Sequence, residues 1–227
     1  MTEDGLAANV AQTARMLAAA GLVEAFGHVS ARLPGGGFLI TPTSPMLEVT
    51  SEVIITVNDD GVVVGDPRGA VPIEIPLHAA IYRARPDAAA ICRGHGPSMV
   101  AWGVTTTPVP LLHGLGAIAG ETVPVHDDLD LISTREAGDR VAATLGESFS
   151  ALLLANGGFS LGTDLLEAAT RLWFLEERAG VAIRAKTNTP PAGDWEHRVT
   201  HSAVELIRAK DWFEVSFASP DPLSEQE

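Results

Sequence analysis

The chain has 227 residues, 46% of them hydrophobic, which is enough for one sizeable core and argues against disorder over most of its length. Its 15 Lys+Arg against 29 Asp+Glu give a formal net charge of −14. So acidic a surface repels phosphate backbones and anionic lipid, which excludes nucleic acid and membrane surfaces as partners, while an anionic small molecule would need a local positive site.

Residues 5–20 carry Leu6, Val10, Ala14, Met16 and Leu17 at helical spacing, closed by Gly21. Phe26–Leu33 and Phe38–Thr41 flank a Pro-Gly-Gly-Gly turn and predict a β-hairpin. Val53–Val57 predicts another strand, and after the turn Asn58-Asp59-Asp60-Gly61 the extended pattern resumes at Val62–Val64. Beyond a loop over 65–73, Pro76 suits the first turn of a helix ending near Arg85. Ala88–Arg93 predicts a buried strand, Ser98–Trp102 a short helix and Thr105–Leu112 an extended stretch.

Residues 133–145 predict an amphipathic helix with Ala137, Val141, Ala142 and Leu145 on one face, Phe149–Leu154 a buried strand, and Gly157–Ser160 a turn. Asp164 caps a predicted helix over Leu165–Ala185, a last helix runs from about Asp194 to Lys210, and Pro220–Glu227 is a polar, frayed tail. Strands alternate with helices, and no linker splits the chain. The expectation is one α/β domain over 1–227, with a core at about 5–185 and a C-terminal helix and tail at 186–227.

Cys92 is the single cysteine, so no intrachain disulfide can form, and its apolar strand marks it as a buried structural thiol. The acidic N-terminus lacks a signal peptide's basic and apolar regions, and no apolar run approaches the ~20 residues that span a bilayer. These features predict a soluble, cytoplasmic protein.

Polar residues at strand ends and glycine turns carry the chemistry. Glu74 precedes a helix, and His95 sits between two glycines after a buried strand. A carboxylate and an imidazole can act as general acid and base or ligate a metal; by spacing alone they read equally as a helix-terminus carboxylate and a turn histidine. His126, His197 and His201 read as surface histidines.

Several segments in register resemble one family. Gly27-His28-Val29-Ser30-Ala31-Arg32 with Phe38-Leu39-Ile40-Thr41-Pro42-Thr43 resembles the opening of class II aldolases. Glu74-Ile75-Pro76-Leu77-His78-Ala79-Ala80-Ile81-Tyr82 resembles the family's glutamate-containing helix start. Arg85-Pro86-Asp87, the 91–97 segment, Leu152–Gly158 and Gly162–Ala168 follow in order, so the resemblance to the class II aldolase/adducin family covers about residues 5–185. It implies a three-layer α/β/α fold with a central mixed, largely antiparallel sheet, and a homotetramer with sites between subunits. Trp195 and Trp212 are then candidates to dock the tail on a neighbouring subunit.

The resemblance also implies a divalent metal held by three histidines beside a glutamate. Glu74 matches the glutamate and His95 the second histidine, but Arg93 and Gly157 stand at the other two histidine positions. No metal is therefore expected unless zinc, iron or manganese binds a site rebuilt from His95, His113 and Glu74. The family's phosphate-binding serines are replaced by Pro72 and Ile73, whereas the segment from Leu112 to Asp128 resembles the decarboxylase-like branch.

The reading is a lyase cleaving a C–C bond in a small, carboxylated substrate. Arg93, with Thr41 and Ser44, would bind substrate. His95, His113 and His28 would stabilise developing negative charge, and Glu74 or His78 would move the proton. Two alternatives stand beside it: a metal-free isomerase, dehydratase or cyclase on the same scaffold, and a catalytically inactive adducin-like interaction domain.

Overall fold

The computed structural model describes residues 2–218, and its core is a seven-stranded mixed sheet between two helical layers. Helix α1 (Glu3–Ala19) starts where the Thr2 hydroxyl accepts the Gly5 N–H and Glu3 and Asp4 complement the helix dipole. Strands β1 (His28–Arg32) and β2 (Phe38–Ile40) form the expected hairpin, with β3 (Ile55–Val57) antiparallel to β2. β3 starts later than predicted because residues 51–53 coil into a 3-10 turn. Val62–Val64 contributes only the bridge Val57↔Val63, since the Asn58 side chain accepts the N–H groups of Asp60 and Val62 and tightens the turn.

Helix α2 (Ile75–Ala84) has Pro76 in its first turn, and β4 (Ala90–Gly94) leads into α3 (Pro97–Gly103). The predicted extended stretch at 105–112 joins no named strand; Val109 N–H donates to the Val123 carbonyl. After a 3-10 turn at Gly114–Ala119 comes β5 (Val125–His126), which the sequence reading missed. Thr134 caps α4 (Arg135–Leu145), β6 (Ser150–Leu153) follows, and Asp164 caps α5 (Leu165–Ala185).

Residues 158–162 are strand β7, not a returning turn; the reversal falls earlier, where Asn156 N–H donates to the Leu153 carbonyl. Helix α6 (Trp195–Phe217) runs past the predicted end at Lys210 because Phe213 and Phe217 pack on Trp173 of α5. Trp212 packs there too, its ring 5.4 Å from that of Trp173, and remains 42% exposed. The predicted frayed tail at 220–227 falls outside the described residues. Among the described residues no helix is long and apolar enough to cross a membrane.

The strand order is β3-β2-β1-β4-β7-β6-β5. Every neighbouring pair is antiparallel except β5 and β6, which are parallel and joined through α4. Alternation divides the buried residues between two cores. Val29, Ala31, Ala90 and Cys92 pack with α1 and α5, whereas Ile91, Phe159 and Leu161 pack with Leu77 and Ile81 of α2 and Val141 of α4. Cys92 is buried as expected, and burial pushes its thiol up from the ordinary range. Truncating Leu77 or Ile81, both 0% exposed, would cost about 2–5 kcal/mol.

Candidate active site

The register of the two central strands builds the site. β1 and β4 pair with His28 opposite Arg93 and Ser30 opposite Ile91. Paired residues share a face, so His28, Ser30 and Arg93 lie with Ile91 on the face covered by α2. That helix presents Glu74 at its N-cap, His78 one turn on and Tyr82 a turn further. The Glu74 carboxylate oxygen Oε2 lies 3.4 Å from Arg93 Nε and 3.8 Å from His28 Nδ1. The His28 and His78 rings are 5.8 Å apart, edge to face. His95, just past β4, lies against Phe26, whose carbonyl oxygen is 3.2 Å from His95 Nδ1.

These side chains are buried yet incompletely satisfied. Arg93 is 0% exposed, and its Nη1 donates to the Gly94 carbonyl at 2.7 Å. Its Nε and Nη2, together with His28 Nδ1, His78 Nε2 and Glu74 Oε1, are buried with no hydrogen-bond partner among the described residues. Leaving such groups unmade costs about 1–3 kcal/mol each, more where charged, so their concentration in one cluster marks a place for complementary atoms.

Burial, then Arg93 and His95, lowers His28 to a pKa of about 3. Burial, then Arg93, lowers His95 to about 4, with the Phe26 carbonyl and Asn156 opposing. Burial, His28 and Arg93 hold His78 well below the usual range. The three imidazoles are therefore neutral near pH 7, and Arg93 is the fixed positive charge among them.

A divalent cation does not fit this donor set. The Arg93 guanidinium already meets the carboxylate that would serve as a ligand. Gly157, at another family histidine position, sits at φ +72°, and a Cβ there would run into the Gly94 carbonyl oxygen. Among the described residues, no three His, Cys, Asp or Glu side chains are grouped to hold a metal.

The remaining candidates lie apart in their described contacts. The Thr41 hydroxyl is buried and accepts the Val29 N–H, and Ser44 is half-buried in the loop after β2. His113 meets Glu177 of α5 at 3.7 Å, and no described contact joins it to Glu74 or Arg93. His126 is not a surface histidine: it is buried in β5, its Nδ1 2.9 Å from the Thr144 hydroxyl. His197 and His201 are exposed and stack on each other.

A cavity of about 420 Å³ beside Arg32, Ala89 and Asp164 lies at the opposite end of β1 and β4 from His28 and Arg93, and no residue of the cluster lines it. The sequence did not single out Ser30, which meets His78, Tyr82, which meets Ser30, or Asn156, which acts on His95. The helical spacing of His78 and Tyr82 was the available signal for Tyr82; nothing local marked Asn156.

Comparison with known proteins agrees with this architecture. Residues 8–183 match the model of the class II aldolase and adducin N-terminal domain. The chain is 31% identical over 153 residues to an L-fuculose phosphate aldolase of Escherichia coli, covering 66% of this chain and 68% of that one. It is 28% identical over 188 residues to a 3,4-dihydroxyphthalate decarboxylase of a Terrabacter species, covering 77% and 79%. The solved L-fuculose-1-phosphate aldolase of Thermus thermophilus superposes with a TM-score of 0.70 at 31% identity, covering 80% of this chain and 94% of that chain.

Proposed function

The chain belongs to the class II aldolase and adducin family, whose members include lyases, and from that premise we propose that it cleaves a C–C bond in a small carboxylated substrate without a bound divalent metal. One observation carries the reading: Arg93 and Glu74 form a buried pair whose outer atoms, with those of His28 and His78, have no hydrogen-bond partner among the described residues. In a decarboxylation the bond to the carboxylate carbon breaks and its electron pair stays on the substrate carbon. Charge spreads onto an adjacent oxygen, CO2 departs, and the carbon takes a proton.

Arg93 faces the oxygen that gains charge, since only contacts that strengthen in the transition state speed the step. His95 and the neutral His28 line the same place, and Glu74 is the proton carrier. The substrate is anionic and the assembly a homo-oligomer in this reading; the decarboxylase relative supports the first, the family resemblance the second.

The test is CO2 release from oxaloacetate, 2-hydroxybenzoate and 3,4-dihydroxyphthalate by the wild-type protein and Arg93→Gln, with metal content measured in parallel. Turnover that survives chelation and falls at least about 100-fold in the variant is expected, the scale of a lost charge-stabilising donor. Unchanged turnover in Arg93→Gln, or stoichiometric zinc, iron or manganese required for activity, overturns the reading. Conversion of substrate without CO2 loss would favour isomerase or dehydratase chemistry instead.

A further inference from the structure

Behind His78 the fold places two hydroxyls that the proposed chemistry does not use. Ser30 Oγ lies 2.8 Å from His78 Nδ1 and 2.8 Å from the Tyr82 hydroxyl. All three side chains are buried, Ser30 and His78 at 0% exposure. Phe38 packs against both His78 and Tyr82, and the Arg32 guanidinium lies 4.6 Å from the centre of the Tyr82 ring, so neither ring is free to turn away. We propose that Tyr82 and Ser30 form a one-way donor chain that locks His78 as its Nε2–H tautomer, making His78 a hydrogen-bond donor to the bound anion and not a proton carrier.

The direction follows from counting hydrogens. The Tyr82 hydroxyl has one hydrogen and one described partner, Ser30 Oγ. If Tyr82 donates to Ser30, the serine hydrogen is free for an acceptor, and His78 Nδ1 is the one at hand. If Nδ1 carried the proton instead, either Ser30 would receive two donors and its own hydrogen would lack an acceptor, or Ser30 would donate to Tyr82 and the phenol hydrogen would lack one; each arrangement strands one hydroxyl hydrogen among the described residues. Nε2 has no hydrogen-bond partner among the described residues in either case, so it does not discriminate. The cost of that one orphaned donor favours the Nε2–H form by about tenfold or more.

Burial raises the Tyr82 phenol above its ordinary range, which keeps its hydrogen in place, and holds His78 neutral. Sidedness gives the chain its purpose. Nδ1 faces Ser30, which leaves Nε2 on the ring's other edge, and the ring packs edge to face with His28, itself next to Glu74 and Arg93. A neutral imidazole with a fixed N–H donates to an oxygen that becomes anionic but cannot remove a proton through the same atom. Tyr82 and Ser30 are thus positioning residues acting through His78. The proposal rests on the anion-site reading only for what the N–H addresses.

The experiment is a ¹H–¹⁵N spectrum of the histidine rings in the full-length wild-type protein near pH 7.5, with and without 2-hydroxybenzoate. Expected is a His78 ring with protonated Nε2 and a hydrogen-bonded, unprotonated Nδ1, whose Nε2–H signal moves when the carboxylate is added. Protonated Nδ1, a doubly protonated ring, or an averaged pair overturns the proposal, and the wild-type spectrum suffices even if no variant folds. Tyr82→Phe should release the lock to a mixed tautomer and weaken carboxylate binding about five- to tenfold, whereas Ser30→Thr, which keeps the hydroxyl, should restore the wild-type pattern; a locked ring in Tyr82→Phe refutes the role of Tyr82. Carboxylate that binds without moving Nε2–H refutes the donor role. A locked ring in a protein that binds no carboxylate supports the chain and sinks the anion site alone.

Discussion

Two arginines are buried in this molecule to nearly the same degree and in opposite ways. Arg178, on α5, donates from all three guanidinium nitrogens to the carbonyls of Val109, Pro110, Gly116, Gly120 and Glu121. Arg93, on the central strand β4, spends one nitrogen on the neighbouring Gly94 carbonyl and leaves two facing Glu74 and its surroundings. Burial lowers Arg178 to a pKa of about 10, still charged at neutral pH. The first guanidinium closes a loop that has no strand ladder of its own, and its hydrogen-bonding capacity is exhausted. The second keeps capacity in reserve at a strand end. Burial alone does not separate a structural arginine from a functional one; the inventory of unmade hydrogen bonds does.

The largest effect should come from Arg178→Met. Five carbonyls would lose a charged donor, and a stability loss of at least about 3–5 kcal/mol is expected in urea denaturation. In Arg93→Met paired with Glu74→Gln the ion pair is removed together with its charge, so stability should change by less than about 1.5 kcal/mol. If the double variant unfolds as readily as Arg178→Met, the contrast between the two arginines fails.

The helices were legible because their signals are local: Asp164, read as a cap, stands before an apolar periodic run and accepts an N–H three residues on, as Thr134 also does. β7 was not, because Gly157-Gly158 reads as a turn from local conformational freedom, while what makes 158–162 a strand is pairing with β4 and β6, both remote in sequence. β5 has two residues, too few for any period to register, and His126 is buried only because that strand pairs with β6 beneath Thr144 of α4. In the candidate site, the motifs singled out Glu74, His28, His78, Arg93 and His95 one by one. Their convergence depends on the β1–β4 register, and the hydroxyls behind His78 become visible only with the packing of β1 against α2.

A middle-sized effect separates the two regions by pH. His28 titrates from 6.5 in the unfolded chain down to about 3 in the folded one, so the folded state holds fewer protons between those values. Its contribution is fully present above pH 6.5 and is lost as pH falls towards 3. The loss due to His28 between pH 7 and pH 5.5 is about 1 kcal/mol, at about 1.4 kcal/mol per pH unit once the unfolded form is protonated. His78 and His95 act in the same direction. Arg178 stays charged across this range and adds nothing to it. His28→Asn should flatten the dependence of the urea midpoint by that amount; parallel wild-type and variant profiles would show that the buried cluster admits solvent.

The smallest effect tests where the reserve ends. His113 meets Glu177 at 3.7 Å with side chains 23% and 38% exposed, a pair worth no more than about 0.5 kcal/mol. The backbone on either side of it is held by Arg178, whose Nε and Nη1 donate to the carbonyls of Pro110 and Gly116 and fix the course of the loop. His113→Gln should therefore keep stability within about 0.5 kcal/mol and kcat/KM within about twofold. A tenfold fall in kcat/KM with unchanged stability would mean that the loop closed by Arg178 reaches the substrate after all. The exhausted arginine would then be positioning a catalytic histidine, and the boundary between the two regions would have to be drawn beyond it.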